Sequence, residues 1–109
     1  MGTTIVTIKN LANGQLPSSK GTLYTVPATT QAVIKSITLF NNNTTAETVG
    51  LFILKASGTS RQISGGVLAL SGGYMIDDTE YTLAAGDIIQ GTTTTASKVD
   101  FTISGIEES

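Results

Sequence analysis

The residues best placed for chemistry in this chain are carboxylates. Asp77, Asp78 and Glu80 fall close together, and Asp87 follows after a short "LAAGD" turn. Oxygen ligands at that density suit a divalent cation such as Ca2+. The D-x-[DN]-x-[DN]-G spacing of a dedicated calcium loop is missing, however, and a solvated turn ahead of "EYTL" is the favoured reading. A carboxylate pair acting on a glycosidic bond would need partners that hold the sugar, and the chain has no Trp and few aromatics.

The rest of the catalytic repertoire is thin. There is no His, the commonest general base and metal ligand, and no Cys. Nucleophilic sites are then reduced to Ser–Lys or carboxylate variants, and no Ser lies in a G-x-S-x-G context. The pairs Gly65–Gly66 and Gly72–Gly73 lack the following Lys and the strand–loop–helix setting of a phosphate loop, and they read as turns. Asn42 and Asn43 match N-x-[ST] by chance in a Thr-rich chain. Tyr24, Tyr74 and Tyr81 are spread over strand positions and suit a core or an interface better than a stacking platform. No enzyme, cofactor or metal is expected.

Composition narrows the partners. The chain has 109 residues, 39% of them hydrophobic and only 13% charged, with a net charge of −2. That suffices for one domain with a real core, and it excludes a charge-extended disordered chain. The six Lys and Arg are scattered singly, so there is no basic footprint for nucleic acid. No apolar run approaches the roughly 20 residues of a membrane helix. "MGTTIVTIKN" lacks the basic and apolar regions of a secretory signal, and Val6 breaks the myristoylation pattern. A soluble protein made without a Sec-type address is expected.

The elements are short strands. Thr, Val and Ile suit a pleated, half-buried surface, and good helix formers are sparse. Strand segments are read at 3–9, 22–26, 32–41, 48–55, 67–71, 77–83, 87–92 and 98–107, with a shorter piece at 61–63. Pro27, "NNNTTAE", "SGTS", "SGG", "AAGD" and "TTTTAS" punctuate them. This is the grammar of an all-β antiparallel sandwich, jelly-roll or Ig-like, with strand order left open. Residues 1–21 are expected to form an N-terminal strand or arm, and 22–109 a single sandwich domain.

Two strands carry apolar residues on both faces. In "VGLFILKA" (49–56), Val49, Leu51 and Ile53 share one face, and Phe52 and Leu54 share the other with Gly50. In "AVIKSITLFN", strict alternation sets Ile34, Ser36, Thr38 and Phe40 against Val33, Ile37 and Leu39. One face fills the sandwich and the second needs a cover. A loop at 10–21 with Leu11, Leu16 and Pro17, a bulge that re-aims side chains, or another copy of the chain could supply it. The last is preferred, which makes Ile34, Phe40, Phe52 and Leu54 the candidate oligomer interface.

Several phrases in order resemble small structural proteins of tailed bacteriophages and prophages. They are "YTVP" (24–27), "AVIKSI" (32–37), "NNN" (41–43), "TVGLFIL" (48–54), "LAAGDI" (83–88) and "VDFTISGIE" (99–107). The resemblance spans residues 22–107 and leaves the first twenty outside, as a strand laid across or exchanged with a neighbour. It implies a β-sandwich or jelly-roll virion component with no catalytic residues, made in the bacterial host cytoplasm. The resemblance leaves head, neck and tail positions open. A small, weakly charged, self-associating sandwich suits a repeated surface, so the expected role is capsid decoration, as a homo-oligomer, a trimer by preference, on the major capsid protein or another virion protein. A neck, tail-fibre or baseplate position with host-glycan binding is the alternative.

The face assignment makes a first prediction. Phe52→Ser or Leu54→Ser should shift an oligomer toward monomer in size exclusion and leave the fold intact. Val49, Leu51 or Ile53 changed to Ser should instead collapse the thermal transition.

Overall fold

The computed structural model describes residues 5–109. Nine strands follow in chain order: β1 (Val6–Gln15), β2 (Gly21–Thr25), β3 (Gln31–Asn41), β4 (Glu47–Leu54), β5 (Ser60–Leu68), β6 (Tyr74–Asp77), β7 (Tyr81–Leu83), β8 (Ile88–Thr93) and β9 (Val99–Glu108). One sheet has the order β1-β9-β3-β6, with β7 also pairing β3, and the other has the order β2-β8-β4-β5.

The pairing is nested. β4 pairs with β5, β3 with β6 and β7, β2 with β8, and β1 with β9, all antiparallel. The chain is therefore one long two-stranded ribbon, folded back after Leu54. Rolling it up brings β9 against β3 and β8 against β4. That arrangement is a jelly roll, and it decides between the two sandwich topologies that the sequence left open.

Four β-bulges adjust which side chains point inward. The register shifts at Leu11 in β1, Leu23 in β2, Lys35 in β3 and Ile63 in β5. The bulge at Lys35 corrects the alternation read from the sequence. Ala32 and Ile34 face inward before it, and Ile37, Leu39 and Asn41 after it. Ile34 is fully buried with Ile37 and Leu39, so it is a core residue and offers nothing to a neighbouring copy. The extra residue turns both Ile34 and Ile37 inward although three positions separate them.

β4 alternates as expected over its central residues. Val49 and Leu51 are buried, and Ile53 packs against the core. Phe52 and Leu54 lie on the outer face, half-buried. Part of Phe52's cover is its own chain. A Cβ at Gly50 would stand 3.1 Å from the Phe52 ring, so the ring rests on bare backbone, and the Lys20 ammonium lies 4.5 Å above its centroid.

Three further boundaries differ from the sequence reading. The segment 10–15, read as loop, continues β1, while Leu11 packs against the core and Leu16 is buried in it. The stretch 77–83 divides into β6 and β7. Gly65 and Gly66 are not a turn but lie within β5, and a Cβ on Gly65 would meet the Gln62 amide at 2.7 Å and the Val49 carbonyl at 2.9 Å. Close approach of two strands is what glycine permits there.

Three substitutions test this packing. Ile34→Ala should cost about 2–5 kcal/mol in urea denaturation, as for a truncated core residue, and Phe40→Ala less than about 1 kcal/mol. Gly105→Ala should also destabilise, because its Cβ would fall 2.2 Å from the Val33 carbonyl oxygen. Equal losses at Ile34 and Phe40 would show the bulge at Lys35 to be misplaced.

Candidate interaction surfaces

The outer faces of the two sheets differ in character. On the β1-β9-β3-β6 sheet, cross-strand rows can be read from the register. Gln15, Asp100, Phe40 and Tyr74 form one row, and Asn13, Thr102, Thr38 and Ile76 the next. Toward the opposite end, Ile8, Ile106 and Val33 make a third. Phe40 is 43% exposed, Tyr74 67% and Ile76 57%. This face thus carries apolar groups at both ends, separated by Thr and Ser. Val67, which lies opposite Thr48 on the outer face of the other sheet, and Leu70 in the β5–β6 connection are exposed as well.

The four residues expected at an oligomer interface do not come together. Ile34 is inside, Phe40 lies on the outer face just described, and Phe52 and Leu54 lie on the outer face of the other sheet. There Gln90 and Gln62 flank Phe52, and Ile88 and Ser60 flank Leu54. Lys20 reaches over Phe52 to Ser60, which bonds Gln90 in turn. Tyr74, read in the sequence as core or interface, and Ile76, not singled out there, are more exposed than any of the four. Their signal was the strand "YMID", with an apolar residue at each outward position.

The carboxylates are engaged separately. Asp77 accepts from the Thr79 N–H and the Tyr81 hydroxyl, and Glu80 pairs with Lys35 at 2.7 Å. Buried Asp87 takes the Lys55 ammonium and the N–H groups of Ala56 and Ala84. Among the described residues no three acidic groups are gathered to hold a metal ion, and no pocket opens.

Buried polar side chains pin one end of the roll, where the β3–β4, β5–β6 and β8–β9 connections meet. Asn41, fully buried, donates from Nδ2 to the carbonyls of Thr45, Leu68 and Ala69 at 3.0–3.2 Å and accepts from the Asn43 N–H. Glu47, also buried, accepts from Thr93 Oγ1 (2.8 Å), the Thr95 N–H (2.7 Å) and Asn43 Nδ2 (3.0 Å). No buried side-chain nitrogen or oxygen among the described residues lacks a partner. Extending the inward parity of β3 and β4 by one step, to Asn41 and Glu47, would have found both residues.

These contacts set the protonation behaviour. Burial works to raise the Glu47 carboxyl, but the hydrogen bonds from Thr95, Thr93 and Asn43 outweigh it and hold the group below its ordinary range. Asp87 is held low in the same way, with Lys55 and two backbone N–H groups overcoming burial. The Tyr24 hydroxyl lowers Glu107, with help from Lys9. Burial first, and Glu107 second, push Tyr24 well above the usual phenol range.

No protein-family model matches the sequence, and no curated protein is detectably similar to it. Solved structures do share the fold. A chain from the Bacillus endospore appendages, described as disulfide-linked pili, matches with a TM-score of 0.56 at 12% identity, over 97% of this chain and 89% of that one. A chain of the virus-like particle of Macrobrachium rosenbergii extra small virus gives 0.53 at 14%, over 99% and 80%. A chain of infectious bursal disease virus, Gx strain, gives 0.51 at 14%, covering 98% of this chain but only 33% of that one. At such identities the fold is what is shared. The protein has the fold of an antiparallel β-sandwich, and of these three solved structures one is named for a virus and one for a virus-like particle.

Stability should be flat near neutral pH and fall on both sides. Glu47, Asp87 and Glu107 have folded pKa values below their unfolded ones, so their contribution is complete above about 4.5 and is lost as pH drops further. Tyr24 is raised, so its contribution is complete below about 10 and is lost above it. Thermal melts from pH 2.5 to 11 check both limbs. Glu47→Gln should destabilise at pH 7 by about 1–3 kcal/mol and make the acid limb shallower.

Proposed function

We propose that the protein is a non-enzymatic structural component of a bacteriophage virion, a decoration protein that binds the assembled head lattice as a homo-oligomer. The observation that carries this reading is the outer face bearing Phe40, Tyr74 and Ile76. It is broad, open, weakly charged and partly apolar, and it sits on a jelly roll whose buried polar groups are internally satisfied. A surface of this kind fits another protein surface. Its solved structural relatives, named for a virus, a virus-like particle and pili, support an assembling role. The ordered phage-like phrases from Tyr24 to Glu107 support the virion, and synthesis in the host cytoplasm follows from it.

Binding to a repeated lattice makes modest contacts sufficient. Linked copies raise one another's effective concentration, so avidity exceeds the affinity of any single contact. Self-association through the outer faces would use Phe40 on one sheet and Phe52 with Leu54 on the other, with a trimer as the product expected of those faces alone.

A second reading rests on Phe40 and Tyr74, which stand side by side on adjacent strands. Exposed aromatic faces beside Asp100 and Gln15 would suit a sugar ring, as in a tail-fibre or baseplate module that binds host glycan. Saturable binding on a glycan array would favour this second reading over decoration.

The main proposal is tested on purified heads of the encoding phage. Wild-type protein should bind in a saturable, stoichiometric manner and raise the temperature at which heads disrupt. Phe40→Ser, Tyr74→Ser and Ile76→Ser combined should weaken binding at least about tenfold, or about 1.4 kcal/mol, while the protein still melts cooperatively. No binding by the folded wild-type protein would overturn the assignment.

A further inference from the structure

The four sheet edges are not equally protected. Edge strands normally carry a device against pairing with another chain: shortness, charge, proline or a bulge. The β6/β7 edge is broken into strands of four and three residues. β2 is five residues long and runs into Pro27, and β5 carries Arg61, two glycines and the bulge at Ile63. From Ile5 to Asn10, β1 has no proline and no bulge, and a single charge. Residues Val6–Asn10 are exposed on both faces of the sheet, and Ile8, at 83%, is the most exposed large apolar residue described. Lys9, the one charge, is held by Glu107 at 3.0 Å.

The direction of the free peptide groups follows from one pair. Ile5 and Ser109 exchange both backbone hydrogen bonds at 2.9 Å. By antiparallel alternation Thr7 and Lys9 also turn their peptides toward β9, and Val6, Ile8 and Asn10 turn theirs off the edge. An edge of free N–H and C=O groups is completed by another strand.

We propose that this edge of β1 is a strand-addition site for the same edge of a second copy, running antiparallel and centred on Ile8. The register is self-complementary. Val6 faces the second copy's Asn10, Ile8 faces Ile8, and Asn10 faces Val6, each pair exchanging two backbone bonds. Thr7 faces the second copy's Lys9, and Thr7 is itself paired with Glu107. Each lysine therefore approaches a carboxylate of the other copy, and no like charges oppose. The row Val33–Ile106–Ile8, which ends at the open edge, runs on into its own mirror sequence as six apolar side chains. Ile8 is then covered by the group most like it. The site lies at the opposite end of that sheet from Phe40, Tyr74 and Ile76 and uses the strand edge. Variants at one therefore leave the other intact, and the two readings are tested independently.

The chain has no Cys, which makes Ile8→Cys a clean probe. Facing residues of a hydrogen-bonded antiparallel pair have Cα atoms about 5.5 Å apart, within the roughly 4.4–6.8 Å reach of a disulfide. Mild oxidation of the full chain should link Ile8→Cys at least about tenfold faster than Val67→Cys on the β5 edge. Ile8→Pro removes only an outward N–H, and Ile8→Lys sets two like charges at the two-fold. Either variant should melt close to wild type and halve the sedimenting mass. Equal cross-linking of the two cysteine variants, or an unchanged mass for Ile8→Lys, would overturn the proposal. Retained Ile8-dependent association in the Phe40/Tyr74/Ile76 variant, with lost head binding, would sustain this site while locating particle attachment elsewhere.

Discussion

Inward parity governs this molecule. Each strand of a rolled ribbon sends alternate side chains between the sheets, and a ribbon this long cannot keep that alternation while it curves. The four bulges reconcile the two demands. At Leu11, Leu23 and Ile63 the extra residue is itself apolar and packs against the core. Lys35 is instead thrown outward, where its ammonium meets Glu80. Without the bulge in β3, either the Ile34 side or the Ile37–Leu39 side of that strand would face water. Central β3 could not then serve both halves of its sheet.

The same constraint explains the polar core at one end. Asn41 and Glu47 occupy inward positions on β3 and β4, directly beyond the apolar filling. Their hydrogen-bonding groups are spent on backbone and side chains of the neighbouring connections. Buried groups of this kind stabilise little when satisfied and cost much when one partner is lost. They act here as a clamp that fixes where the Asn-rich, Gly-rich and Thr-rich connections lie. A clamped end and fixed outer faces suit the repeated surface contact proposed above.

Much of the fold was legible in the sequence, for a physical reason: period-2 patterning and turn residues are local signals. The β content, the punctuation and the two faces of β4 all followed from them, as did the sandwich. What failed depended on distant partners. Lys35 gives no local sign of a bulge, because a lysine in an alternating strand already reads as outward-facing. Gly65 and Gly66 look like a turn until Gly50 and Val49 are known to run alongside. "NLANGQ" has the composition of a loop and becomes strand only because β9 supplies a ladder. The expected interface suffered from the same blindness. Phe52's apolar face was seen, but neither the bare backbone of Gly50 beneath it nor Lys20 above it could be.

Nested pairing also places the two described extremities of the chain beside each other, joined by the reciprocal bonds of Ile5 and Ser109. A short linker could close the backbone into a ring without disturbing the ladder, and a new opening could be cut at the exposed β4–β5 connection (55–59). Such a circular permutant would keep every sheet contact while moving its free ends to a different connection. Cargo fused there would leave the molecule away from β1, at a point chosen by the engineer.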